Sequence, residues 1–115
     1  MTPVKKVCVI TGGTSGIGLC TAQAMLEKGY TVYELSRRAE GAPGMNHIAA
    51  DVTKEETLAA AIQEILKRED HIDVLINNAQ ASASGVTLED HTTEQFDLAV
   101  YSGLYAVFYY MKACY

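Results

Sequence analysis

Residues 11–18 read Thr-Gly-Gly-Thr-Ser-Gly-Ile-Gly, four glycines within eight positions. Glycine costs about 1 kcal/mol relative to alanine inside a helix and weakens a strand in the same way, so this run is a turn. The segment before it, Val4 to Ile10, is mostly apolar and β-branched and reads as a strand buried on both faces, hence a central parallel strand. The segment after it, from about Gly16 to Lys28, reads as a helix. Ile17, Cys20 and Ala24 share one face, and Gly29 supplies the stop. Strand, glycine turn and helix in that order make a phosphate cradle. Glycine lets the backbone turn sharply and approach a pyrophosphate. The N–H groups and dipole of the helix then hold the negative charge.

The remaining chain keeps alternating. Thr31 to Leu35 reads as a second strand. Ser36-Arg37-Arg38 and then Ala39 to Gly44 form a turn with room for a short helix, and Met45 to Ala50 reads as a short third strand. Thr53-Lys54-Glu55-Glu56 has the capping-box pattern, in which Thr53 caps and Glu56 reaches back. The helix it opens places Leu58, Ile62, Ile65 and Leu66 at i, i+4, i+7 and i+8 and ends near Glu69. Ile72 to Asn77 reads as a fourth strand, and Ala79 to His91 as a polar loop. Thr92 and Gln95 open a last helix that runs to about the C-terminus. This order predicts one α/β unit over residues 1–115, a parallel sheet with helices on both faces.

Composition narrows the function classes. A chain of 115 residues, 49% apolar, suffices for one core. Nine Lys plus Arg against fourteen Asp plus Glu give a net charge of −5, which argues against a nucleic-acid partner. No apolar run reaches the length of a membrane span, and Met1-Thr2-Pro3-Val4-Lys5-Lys6 has no cleavable signal pattern behind it. Cys8, Cys20 and Cys114 are odd in number and lack CxxC spacing. The expectation is a cytoplasmic protein in which Cys8 and Cys20 are small core residues. His47, His71 and His91 cluster neither with the cysteines nor with one another, so no metal site is expected.

Thr11-Gly12-x-x-x-Gly16-Ile17-Gly18 resembles the cofactor loop of the short-chain dehydrogenases/reductases rather than the Gly-x-Gly-x-x-Gly spacing of other dinucleotide folds. Asp51-Val52 resembles the acidic position after the third strand, where the family's Asp contacts adenine. Asn77-Asn78-Ala79 resembles the family's Asn-Asn-Ala-Gly, and Phe96-Asp97 the start of its long helix. The resemblance spans the whole chain. It implies a Rossmann-like sheet with strand order 3-2-1-4. It also implies cofactor contacts from Gly12, Thr14, Ser15, Gly16, Ile17, Gly18, Ser36, Arg37, Arg38, Asp51, Val52, Asn78 and Ala79. An acidic residue ending the second strand would bind a ribose and repel a 2′-phosphate. Here Ser36 stands there, followed by two of the chain's three arginines. Guanidinium groups beside a small hydroxyl suit a phosphate monoester. The expected cofactor is therefore NADP(H) in preference to NAD(H), with Arg37 the better candidate and no metal.

The sequence departs from the family where the chemistry lies. The family's Ser and Tyr-x-x-x-Lys orient the carbonyl and move the proton, and an Asn on the long helix links the Lys to water. Aligning Phe96-Asp97 places Gly103 at that Asn and Gln80 at the Gly of Asn-Asn-Ala-Gly, and none of the seven tyrosines has a lysine four residues later. No catalytic residue is therefore assigned. The 115 residues are expected to be the cofactor-binding half of such an oxidoreductase, stopping before a fifth strand and inactive alone. The alternative is a non-catalytic nucleotide-binding or dimerising module built on the same fold.

In such a half-sheet the 72–77 strand becomes an open edge. On the last helix Phe96, Val100, Gly103, Leu104, Val107 and Met111 form one face, expected to pack on the sheet. The opposite face carries Tyr101, Tyr105 and Tyr109. The family commonly dimerises through this helix. A homodimer is expected through the tyrosine face of helix 93–115, the 72–77 edge, or both.

Overall fold

The computed structural model describes residues 5–51, 54–79 and 85–115. β1 (Val7–Thr11) is buried along its whole length, as a strand covered on both faces must be. It pairs in parallel with β2 (Thr31–Ser36) on one side and β4 (Val74–Ile76) on the other, and β3 (Asn46–Ala49) pairs in parallel with the far side of β2. The sheet order is therefore 3-2-1-4, a Rossmann-like arrangement, and β4 lies at the edge of the described sheet. β2 runs one residue beyond the expected Leu35, and the other strands are shorter than expected. β1 starts at Val7, leaving out Lys5 and Lys6, while Val4 lies outside the described residues, and β4 covers only the middle of 72–77. Arg37 to Gly44 is irregular, without a helix.

Alternation along the strands splits the core into two layers. Val7, Val9, Tyr33 and Leu35 face α2 (Glu55–Glu69) and the C-terminal helix. Cys8, Ile10 and Val32 face α1 (Gly16–Glu27). Burial pushes the Cys8 thiol up to about 11, so it stays a protonated, inert core residue. The Tyr33 hydroxyl donates to Glu69 Oε2 at 2.6 Å, tying β2 to the end of α2.

The face of α1 that meets the sheet is not the expected one. Gly18 and Ala22 are buried with Met25 and Leu26 packed beside them, whereas Ile17 is 80% exposed and Cys20 and Ala24 face outward. The reason is size. α1 lies so close to the turn after β1 that only small residues fit at its first contact. Cys20 is thus a surface residue, not a core one.

α2 buries Leu58, Ile62 and Ile65 as its periodicity predicts, together with Ala61. Its N-cap position is Lys54, without a side-chain cap, and Thr53 lies outside the described residues. Thr57 does the local work instead. Its Oγ1 accepts the Asp51 N–H at 3.0 Å, and its hydroxyl lies 2.9 Å from Asp51 O and 2.8 Å from Lys54 O.

The last helix starts as expected. Thr92 Oγ1 accepts the Gln95 N–H and Gln95 Oε1 accepts the Thr92 N–H, a complete capping box. It runs as α3 (Thr93–Val100), a π-helical turn over Tyr101–Tyr105, and α4 (Ala106–Cys114). Its inward face is Ser102, Ala106 and Tyr110, and of the predicted stripe of Phe96, Val100, Gly103, Leu104, Val107 and Met111 only Val100 and Val107 are half-buried. Again small residues decide, because Ser102 and Ala106 let the helix approach while Phe96, Leu104 and Met111 stay more than half exposed. Tyr101, Tyr105 and Tyr109 do form a row, with ring centroids 5.2 and 6.1 Å apart. Tyr109 is half-buried against α2, and Tyr101 and Tyr105 are exposed.

Candidate cofactor-binding site at the glycine turn

The carboxyl end of β1 opens into the glycine turn. Gly12 (φ +70°) and Gly16 (φ +55°) hold left-handed backbone that other residues resist. Around Gly16 there is open space, whereas a Cβ at Gly18 would overlap the Gly12 carbonyl oxygen. The turn is thus tight on its protein side and open on its outer side. α1 begins at Gly16 with Ser15 as N-cap, and Ser15 makes no side-chain cap hydrogen bond. No acidic residue stands in the first turn. The positive end of the helix dipole is left for an outside anion.

The back of the turn is held by residues that the spacing of the motif does not reveal. Thr11, 3% exposed, accepts two backbone N–H groups on Oγ1, from Asn78 at 3.0 Å and from Ala79 at 2.9 Å. Asn78 Nδ2 donates to Gly12 O at 3.2 Å. Asn78 and Ala79 therefore brace the turn from the end of β4. Gly13 rests on Glu34, where a Cβ would come within 2.8 Å of the Glu34 Cγ.

An open cleft of about 400 Å³ lies in front, lined by Gly12, Thr14, Ser15, Ser36, Arg37 and Arg38. The ends of β1 and β2 thus bring the glycine turn and the arginine pair to one surface. A second cleft of about 280 Å³ is lined by Arg37, Ala49, Ala50, Asp51 and Thr57. Arg37 borders both. Arg37 and Arg38 are exposed, and neither belongs to a salt bridge among the described residues. Two unneutralised guanidinium groups beside a helix N-terminus suit a ligand carrying several phosphate charges. Val52 and Gln80 lie outside the described residues. Gly103 sits in the π-helical turn, exposed and without a side chain to offer. Among the described residues no group of His, Cys, Asp and Glu could hold a metal ion, and no helix is long and apolar enough to cross a membrane.

Sequence reasoning missed Thr11 as a brace, Glu34 as the floor of the turn, and His47, whose Nδ1 lies 2.5 Å from Glu34 Oε2. A glutamate in the middle of an apolar strand was the available signal for the last two.

Comparison with known proteins agrees with this geometry. The family model described as short chain dehydrogenase matches residues 6–115. A 12alpha-hydroxysteroid dehydrogenase from Clostridium sp. is 39% identical over an alignment covering 96% of this chain and 49% of the relative. A Brucella melitensis 3-ketoacyl-(acyl-carrier-protein) reductase complexed with NADH superposes with a TM-score of 0.86 at 28% identity, covering 96% of this chain and 49% of that one. A metagenomic short-chain oxidoreductase in complex with NADP superposes at 0.84 with 25% identity, covering 94% and 54%. The chain spans about half the length of the curated relatives it matches. With its sheet order, glycine turn and family match in agreement, the chain belongs to the short chain dehydrogenase family.

Proposed function

We infer that these residues form the NADP(H)-binding portion of a short-chain oxidoreductase. The observation that carries this reading is Arg37, in no salt bridge among the described residues and shared between the cleft at the glycine turn and the cleft beside Asp51. In this reading the pyrophosphate lies over Gly12 to Gly18, against the N–H groups of α1. Thr14 and Ser15 line its cleft, and Ile17 lends the ligand an exposed apolar surface. Ser36, Arg37 and Arg38 take the 2′-phosphate, and Ala49, Ala50 and Asp51 flank the adenine. The nicotinamide coenzyme supplies hydride when bound. The relatives supply no choice between cofactors, since one neighbour was solved with NADH and another with NADP. The preference rests on the arginine pair and on the absence of an acidic residue at position 36.

The 115 residues contain no Tyr-x-x-x-Lys, and Gly103 offers no amide. A carbonyl reductase without its proton donor loses about 10²–10⁴-fold in rate. These residues alone are therefore proposed to bind cofactor without turning it over. Titration of the Arg37→Ala variant tests the site. NADP affinity falls to near that of NAD if Arg37 holds the 2′-phosphate, and stays as in the unmodified protein if it does not. An NADPH oxidation assay with a panel of carbonyls tests the second part, and turnover above background contradicts it.

A dimerising role is favoured by one separate observation. Tyr101, Leu104, Tyr105, Phe108 and Met111 are exposed on the last helix. We propose a homodimer through this surface, the outer edge of β4, or both, in the cytoplasm.

A further inference from the structure

We propose that His47 is a positioning residue that fixes the arginine turn against the glycine turn and so sets the preference for a 2′-phosphate. This rests on reading Ser36 to Arg38 as the 2′-phosphate site. His47 lines neither cleft and acts through its neighbours.

Glu34 and His47 face each other in the register of β2 and β3. Glu34 lies between Tyr33 and Leu35, which point to the opposite layer, so its side chain runs beneath the glycine turn with Ile10. That side chain is 0% exposed. A buried carboxylate without a partner is costly, and the imidazole supplies one: Nδ1 lies 2.5 Å from Oε2. Oε1 has no hydrogen-bond partner among the described residues, so the ring is what holds this carboxylate. The other ring nitrogen, Nε2, donates to the Arg38 carbonyl at 2.6 Å. A Cβ at Gly41 would come within 2.8 Å of the His47 Cβ, so the loop after the arginines closes over the ring.

One rigid ring thus spans two structures that meet the same ligand. Through Glu34 it reaches the floor of Gly13, and through the Arg38 carbonyl it reaches the turn carrying both guanidinium groups. Among the described residues the turn is otherwise held by the Ala50 N–H on the Ser36 carbonyl at its start, 2.9 Å, and by the Arg38 N–H on Ser36 Oγ, a long contact at 3.4 Å. Without the ring, Arg37 and Arg38 must be ordered when the 2′-phosphate arrives, and that cost weakens binding. NAD lacks the 2′-phosphate and does not require the turn, so its affinity is insensitive to the ring.

The experiment is a calorimetric titration of NADP and NAD into the unmodified protein, His47→Leu and His47→Gln, with melting curves for each. In His47→Leu, NADP weakens by about fivefold or more and NAD by less than about twofold. His47→Gln, which keeps an N–H donor, lies between. An unmodified protein with no preference for NADP overturns the cofactor reading and this inference with it. A preference that survives intact in a folded His47→Leu overturns this inference alone. Should His47→Leu not fold, the ¹⁵N resonances of the His47 ring in the unmodified protein decide. A shift with NADP but not with NAD supports the clamp, and equal responses to both overturn it.

Discussion

Gly18 stands directly behind Gly12, so close that a Cβ on Gly18 would overlap the Gly12 carbonyl oxygen and press on the Asn78 amide. The helix that offers its N-terminus to the ligand therefore touches the turn backbone to backbone. Alanine at position 18 forces the two apart. Overpacking of this kind costs about 1–3 kcal/mol. Gly18→Ala is expected to lower the urea midpoint accordingly and to weaken NADP binding. An unchanged midpoint would show that the contact is looser than described.

Thr11 makes a second prediction. Its Oγ1 accepts the N–H groups of both Asn78 and Ala79. Thr11→Val keeps the shape and removes the acceptor, leaving two part-buried donors unpaired. Each such donor costs about 1–3 kcal/mol. Thr11→Ser keeps the acceptor and is expected to retain most of the stability. Equal midpoints for the two variants would contradict the role given to the hydroxyl.

His71 gives a pH dependence. Nδ1 lies 2.8 Å from the Glu69 carbonyl and Nε2 3.2 Å from the Lys5 carbonyl, so only the doubly protonated ring donates to both. These two carbonyls, with the Asp73 carboxylate as a smaller aid, raise its pKa above the ordinary 6.5. A pKa raised on folding stabilises the native state below the unfolded value, and that stabilisation is lost as pH rises through the folded value. The stability difference between the unmodified protein and His71→Ala is expected to be largest in mildly acidic buffer. It shrinks above neutrality. Urea midpoints across pH check this, and a difference that grows with pH contradicts it.

The exposed surface of the last helix predicts assembly. Tyr101 and Tyr105 are 41% and 45% exposed, and Phe108 and Met111 more than half. Aromatic rings of this kind each bury about 150–250 Å² when covered. Light scattering is expected to give a dimer mass, and Tyr105→Glu with Phe108→Glu is expected to give a monomer that still binds NADP. A monomer in the unmodified protein contradicts the assembly.

The alternation of strands and helices was legible in the sequence because the glycine turn, the apolar strands and the Leu58–Ile62–Ile65 stripe are local patterns whose period identifies the element, whereas the strand order 3-2-1-4 was implied only by the family resemblance. The positions of Ser36, Arg37 and Arg38 followed from the same frame. What hydropathy misjudged was which helix face meets the sheet. Gly18 and Ala22 on α1, and Ser102 and Ala106 on the last helix, were outweighed by larger apolar neighbours. Yet closeness of approach, not transfer energy, placed them inward. Gly18, Ala22, Met25 and Leu26 do follow i, i+4, i+7, i+8, so α1 was readable once small residues were counted. The Glu34–His47 pair was not, because strand register alone brings together residues thirteen apart.

The glycine turn and the arginine turn are proposed together to bind a dinucleotide bearing a 2′-phosphate. The most direct measurement is a pair of titrations of the unmodified protein, with NADP and with NAD, under one buffer and salt condition. Losing one well-placed charged phosphate contact is worth about 1.5–3 kcal/mol, so NADP is expected to bind at least about tenfold tighter. Equal affinities, or tighter binding of NAD, would contradict the account.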